Sequence, residues 1–104
     1  MKEENTVFAI FKYSMYKKIN KILIPEDGMV LSIQLQGETV VMWVLIDTSK
    51  SIEEQKEFWI INTGQRFKQI DGKELLSYLG TVQFSNGIVQ HVFEKLLFDT
   101  EEEI

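Results

Sequence analysis

Short runs of strand-favouring residues, each closed by a turn residue, occupy most of the chain between Thr6 and Glu94. Side chains on a strand alternate between its two faces, so each run predicts which residues share a side. Thr6 to Tyr13, rich in β-branched and aromatic residues, predicts a first strand. Ser14 to Asn20 lacks clean periodicity and reads as a connection, and Lys21 to Ile24 as a short strand stopped by Pro25 and the turn Glu26-Asp27-Gly28. Met29 to Gln36 and Thr39 to Asp47 flank Gly37-Glu38, the glycine-first signature of a type II′ hairpin turn. After a polar loop from Asp47 to Glu54, Gln55 to Asn62 predicts a fifth strand, followed by a loop at Thr63-Gly64-Gln65-Arg66. Asp71 is placed to cap a short helix over Gly72 to Ser77. Tyr78 to Glu94 is a second hairpin around Asn86-Gly87, the dipeptide that best tolerates a type I′ turn.

The turns set the expected registers. In the first hairpin, Met29, Leu31, Ile33 and Leu35 share a face with Val40, Met42, Val44 and Ile46, an apolar side suited to a core. The reverse side carries Trp43 with Val30, Val41, Leu45 and Gln34, more apolar area than a small monomer leaves wet, which predicts a homo-oligomer contact. In the closing hairpin a two-residue turn pairs Val82 with His91 and Gly80 with Phe93. Tyr78, Val82, Phe84, Val89, His91 and Phe93 then form a core face, with Phe93 across Gly80, while Thr81, Gln83, Gln90 and Val92 face outward. The expected fold is mainly β: an antiparallel sandwich or partly open barrel of about seven strands with at most one short helix.

With 104 residues and 44% hydrophobic content, the chain has room for one ordinary core, so residues 1–104 are expected to form a single domain with an ordered core of about 6–94. No apolar run reaches the roughly 18 residues of a membrane span, and MKEENT lacks the blocks of a signal peptide, so a cytoplasmic location without membrane attachment is expected. Zero cysteines and one histidine disfavour a zinc or iron site. Of the net charge of −5, −4 lies in residues 94–104, an acidic tail, while Lys12, Lys17, Lys18 and Lys21 share an acid-free stretch. That balance argues against duplex nucleic acid but leaves room for a small phosphate-bearing ligand.

Catalytic groups are sparse. His91 is expected in the core, serine then has no base, and no spacing brings Asp47, Glu57 or Asp71 together, so an enzyme is not expected. Binding groups are more plentiful, each beside a plainer reading. Thr63, Gly64 and Gln65 offer backbone donors for a phosphate, or simply a turn. Arg66, the sole arginine, supplies a planar fork, or an ordinary surface charge. Trp43 and Trp59 offer faces for base stacking, or packing against core or a second copy. Gln34, Thr81 and Gln83 both donate and accept, as a base edge requires and as exposed strand residues commonly do.

Ile10-Phe11-Lys12-Tyr13, Ile24-Pro25, Leu31-Ser32-Ile33-Gln34, Met42-Trp43-Val44-Leu45-Ile46-Asp47, Thr63-Gly64, Tyr78-Leu79-Gly80-Thr81-Val82-Gln83 and His91-Val92-Phe93-Glu94 follow one another in order. As an ordered set they resemble a family of small phage and prophage proteins whose domain has been catalogued without a function. The family usually has glycine at position 62 and tryptophan at position 90, where this chain has Asn62 and Gln90. The chain also resembles the phage anti-CBASS sponges, small oligomeric proteins that bind cyclic nucleotide signals of a bacterial defence system. That resemblance implies a non-enzymatic protein acting in the cytoplasm of an infected bacterium, without a cofactor. It would sequester a cyclic dinucleotide such as cGAMP through some of Gln34, Trp43, Trp59, Thr63, Gly64, Gln65, Arg66, Thr81 and Gln83. The alternative is a small acidic phage inhibitor that docks directly on a host protein through its tail and a sheet edge.

Overall fold

Seven antiparallel strands in two facing sheets, with no helix among the described residues, make up the computed structural model, which describes residues 6–68 and 74–97. The strands are β1 (Phe8–Met15), β2 (Ile19–Pro25), β3 (Met29–Gln36), β4 (Thr39–Asp47), β5 (Glu53–Asn62), β6 (Glu74–Gln83) and β7 (Val89–Leu97). One sheet has the order β1-β4-β3 and the other β2-β5-β7-β6. The arrangement is a sandwich and not a closed barrel. Its core draws Met15, Ile33, Val40, Met42, Val44 and Ile46 from the smaller sheet. The larger sheet contributes Ile24, Phe58, Ile60, Val82 and Val92.

Several boundaries differ from expectation. β1 runs on to Met15, which is buried, so the connection to β2 shrinks to residues 16–18. Asn20, the one buried polar residue among those described, explains how so short a crossover is held. Its Oδ1 accepts from the Tyr16 and Lys17 amides at 3.2 and 3.1 Å, and its Nδ2 donates to the Lys17 carbonyl at 2.7 Å. Asn20→Ala should lower unfolding free energy by about 1–2 kcal/mol, since several loop groups lose partners while water reaches some of them. Urea denaturation measures this, and a loss below about 0.3 kcal/mol would remove the loop-organising role. The expected helix over Gly72 to Ser77 is corrected where it can be seen: Glu74 to Ser77 are the start of β6. Asp71 and Gly72 lie outside the described residues. Six residues are too few for a stable isolated helix, and pairing with β7 offers the backbone a full ladder instead. Lys95 to Leu97, placed with the acidic tail by sequence, extend β7.

In the first hairpin the turn is as expected, with Gly37 at φ 64°. The register is not. Val30 pairs with Val44 and Ser32 with Trp43, so Leu31 is an extra residue in β3. The bulge lets Val30 and Ile33 both face the core and turns Met29 outward beside Leu45; Met29 and Leu31 are both exposed. Val30 therefore does not flank Trp43; Met29 takes that place.

The closing hairpin differs by one residue in its turn. The Phe84 amide donates to the Ile88 carbonyl at 2.8 Å and the Gly87 amide to the Phe84 carbonyl at 2.9 Å; Gly87 has φ 92°, while Asn86 has no positive φ. This is a three-residue connection ending in a left-handed glycine, not a two-residue type I′ turn. One extra loop residue shifts the register by one and inverts β7. Thr81 pairs with His91, Val82 with Gln90 and Gly80 with Val92. Val92 is thus fully buried, and His91 and Phe93 point outward. A second bulge at Leu79 returns Tyr78 to the side of Phe93, where the two rings meet edge to face at 5.7 Å. Ile33 of the opposite sheet, and not Phe93, lies against Gly80.

Candidate functional site

Inverting β7 moves the histidine from the expected core to the outer face of the larger sheet, where it joins three separate pieces of chain. The His91 Nε2 lies 2.7 Å from Thr63 Oγ1, and its Nδ1 lies 3.0 Å from Thr81 Oγ1. The Tyr78 hydroxyl lies 2.6 Å from Thr81 Oγ1. Cross-strand pairing of Thr81 with His91 fixes the middle of this string, and the bulge at Leu79 brings Tyr78 onto the same side. Thr63 arrives from the end of β5 through a turn in which the Gln65 amide donates to the Asn62 carbonyl at 3.0 Å, with Gly64 at φ 85°. That φ is the reason for glycine, since a Cβ there would meet no atom within 4 Å yet would strain the backbone. Each hydroxyl in the string can donate or accept, and the imidazole can do either at each nitrogen. The string contains no carboxylate, so it offers no acid to orient the histidine as a general base.

The nine residues expected from sequence divide between the two outer faces. Thr63 and Thr81 flank His91, Gln83 stands two residues beyond Thr81 on the same face of β6, and Gly64 and Gln65 are in the adjoining turn. Trp59 shares this face further along, pairing with Phe93; its Nε1 donates to Glu57 at 2.7 Å and the Lys95 ammonium sits 5.7 Å from its ring centre. Arg66 is exposed beyond the turn, without an ion-pair partner among the described residues. Trp43 and Gln34 lie on the outer face of the other sheet, joined by a 2.9 Å bond from Trp43 Nε1 to Gln34 Oε1. One copy of the chain therefore cannot bring Trp43 and Trp59 to the same ligand. His91, Tyr78 and Phe93 belong to the outer face and were not among the expected site residues. The fault was the turn length, because the three-residue alternative for Ser85-Asn86-Gly87 puts His91 beside Thr81 at once.

A second feature lies at the same end of the molecule but between the sheets. It is a cavity of about 310 Å³ bounded by the β1–β2 crossover, the β3–β4 turn and the end of β5. Asn62, Gln65 and Gln90 line it, and Gln90 Nε2 donates to Asn62 Oδ1 at 2.8 Å. Asn62 and Gln90, two of the positions at which this chain departs from the resembled pattern, are thus in contact with each other.

The family model of a domain of unknown function, DUF7352, matches residues 7–102. No curated protein and no solved structure matches the chain.

Proposed function

Because the chain belongs to the DUF7352 family, whose function is unknown, its activity has to be read from its own chemistry, and we propose that it is a phage-encoded, non-enzymatic protein that sequesters a cyclic dinucleotide immune signal. The observation that carries this reading is the outer-face string of Thr63, His91, Thr81 and Tyr78 beside Gln83 and the Gly64 turn. These groups suit a ligand made of base edges, ribose hydroxyls and phosphates, all of which exchange hydrogen bonds in both directions. Arg66 stands next to the turn as the phosphate partner, and Trp59, Phe93 and Tyr78 supply ring surfaces on the same face. Absence of a carboxylate from the string favours retention of the ligand over its cleavage.

The proposal includes a homo-oligomer. Phe8, Ile10 and Met29 are each more than half exposed on the outer face that also carries Trp43, and a second copy would cover them. Light scattering at micromolar concentration should give a mass above 12.2 kDa, and a monomer would remove this part of the proposal.

The whole reading is tested by calorimetry against a panel of cyclic dinucleotides, with bound ligand released by heat and analysed by chromatography. Tight binding and intact recovery are expected. A cleaved product, or no binding to any member, would overturn it. Arg66→Ala should weaken binding by about 1.5–3 kcal/mol, the range for a charge-assisted phosphate contact, while leaving unfolding unchanged. Unchanged affinity in that variant would take Arg66 out of the site.

A further inference from the structure

We propose that the cavity between the sheets is a second binding site, for a small planar anion of the size of a nucleoside monophosphate. It is separate from the outer-face site, although the Asn62–Arg66 turn forms a boundary of both. Thr63 reaches the outer face, whereas Asn62 and Gln65 line the cavity.

The floor is apolar, formed by Met15, Val40, Ile60 and Phe84, the first three of them buried. Water over such a floor has few partners, and a bound water ordinarily makes about three hydrogen bonds. A flat ring body would use that surface better. The volume of about 310 Å³ stands at the small end of the roughly 300–1,000 Å³ typical of ligand sites, enough for one ring system with its substituents and not for a ring of two nucleotides.

The rim is polar and, in part, uncommitted. Lys17 and Lys18 both line the cavity, and neither has an ion-pair or hydrogen-bond partner for its ammonium among the described residues. Their backbone is held by Asn20, so the crossover that presents them is already ordered before any ligand arrives. The carboxylate of Glu38 is the single negative group of the lining, and it accepts from Ser85 Oγ at 3.1 Å. Two ammonium groups against one carboxylate leave an excess positive charge facing the space, on a chain whose net charge is −5.

The three amides complete the picture. Gln65 Oε1 accepts from the Asn62 amide at 2.9 Å, and Asn62 Oδ1 accepts from Gln90 Nε2. Those two bonds fix the orientation of the set and leave Asn62 Nδ2 and Gln65 Nε2 as donors, with Gln90 Oε1 as an acceptor, none of them partnered among the described residues. Donors beside an acceptor match the edge of a heterocycle, which alternates in the same way. An apolar floor, a mixed amide edge and a lysine pair correspond to a ring, its polar edge and its phosphate.

The probes are 5′-AMP, adenosine and inorganic phosphate, titrated into the full chain by calorimetry and by amide NMR. AMP should bind one per chain, with shifts centred on Lys17, Lys18, Thr39 and Gln90. Adenosine and phosphate should each bind at least about tenfold more weakly, since each lacks one half of the recognition. The double variant Lys17→Gln/Lys18→Gln should lose AMP affinity by about tenfold or more with its NMR spectrum otherwise intact. Cyclic dinucleotide affinity in that variant should not change. Phosphate binding as well as AMP would overturn the proposal, as would shifts centred on Thr81 and Gln83, or competition between AMP and a cyclic dinucleotide for one site. Failure of every cyclic dinucleotide to bind would count against the outer-face reading alone.

Discussion

Phe58→Ala should destabilise the protein by about 3–5 kcal/mol, the range for removing a fully buried aromatic ring and leaving a cavity. Phe58 is at 0% exposure and is the largest of the fully buried side chains. It projects from β5 into the space between the sheets, with Ile60 beside it on the same strand face. Domains of this size are held by about 5–15 kcal/mol, so the substitution removes a large share of the total. Urea unfolding should show a lower midpoint with an unchanged slope, because the surface exposed on unfolding hardly alters. Trp59→Ala, one residue along, should cost less, since Trp59 is only half-buried on the outer face. A loss below about 1 kcal/mol for Phe58, or a larger loss for Trp59, would mean that the faces of β5 are assigned the wrong way round.

That contrast between adjacent residues shows what the sequence makes legible. Gln55 to Asn62 reads plainly as a strand, and the glycine-first turn at Gly37 sets the first hairpin where expected. The misplaced registers are those in which a strand or its turn gains one residue. Leu31 and Leu79 are bulges, and a bulge leaves no mark on a pattern of alternation except a step of three between inward positions, as from Val30 to Ile33. Asn86-Gly87 suits a two-residue turn by composition. A three-residue turn also requires glycine only at its last position, so the dipeptide alone does not choose between them. Burial chooses: the longer turn places Val92 inside and His91 outside.

For the site, the consequence was selective. Thr63, Thr81 and Gln83 were legible as polar groups on or near strand ends, and Thr63 and Thr81 do meet, at His91. The histidine that ties Thr63 to Thr81 was hidden, because it depended on the register. The cavity was less legible still. Its lining comes from the β1–β2 crossover, the β3–β4 turn and the Asn62–Gln90 end of the β5–β7 pairing, segments far apart in sequence that meet only once the two sheets face each other. Lys17 and Lys18 stood out as a basic stretch, but nothing in the sequence placed them opposite Asn62 and Gln90.

Gly80→Val should lower stability by about 1–3 kcal/mol or more, the usual cost of forcing extra atoms into a filled core. A Cβ built at Gly80 would lie 2.9 Å from Ile33 Cβ and 3.0 Å from Ile33 Cγ1, closer than carbon atoms pack. Ile33 is β-branched and sits in the middle of β3, so the atoms in the way are next to the backbone and cannot swing aside. Relief would require β3 and β6 to move apart, and that motion would open the sandwich along the edge where the two sheets meet. Gly80→Ala should show the same effect in smaller form. If the clash with Ile33 is the cause, Gly80→Ala should cost markedly less in an Ile33→Gly background, which removes both the Cβ and the Cγ1, than in the native chain, with a coupling of about 0.5–3 kcal/mol between the two sites. Additive losses in that double-mutant cycle would mean that glycine is required at position 80 for its backbone beside the Leu79 bulge, and not for the room it leaves to Ile33.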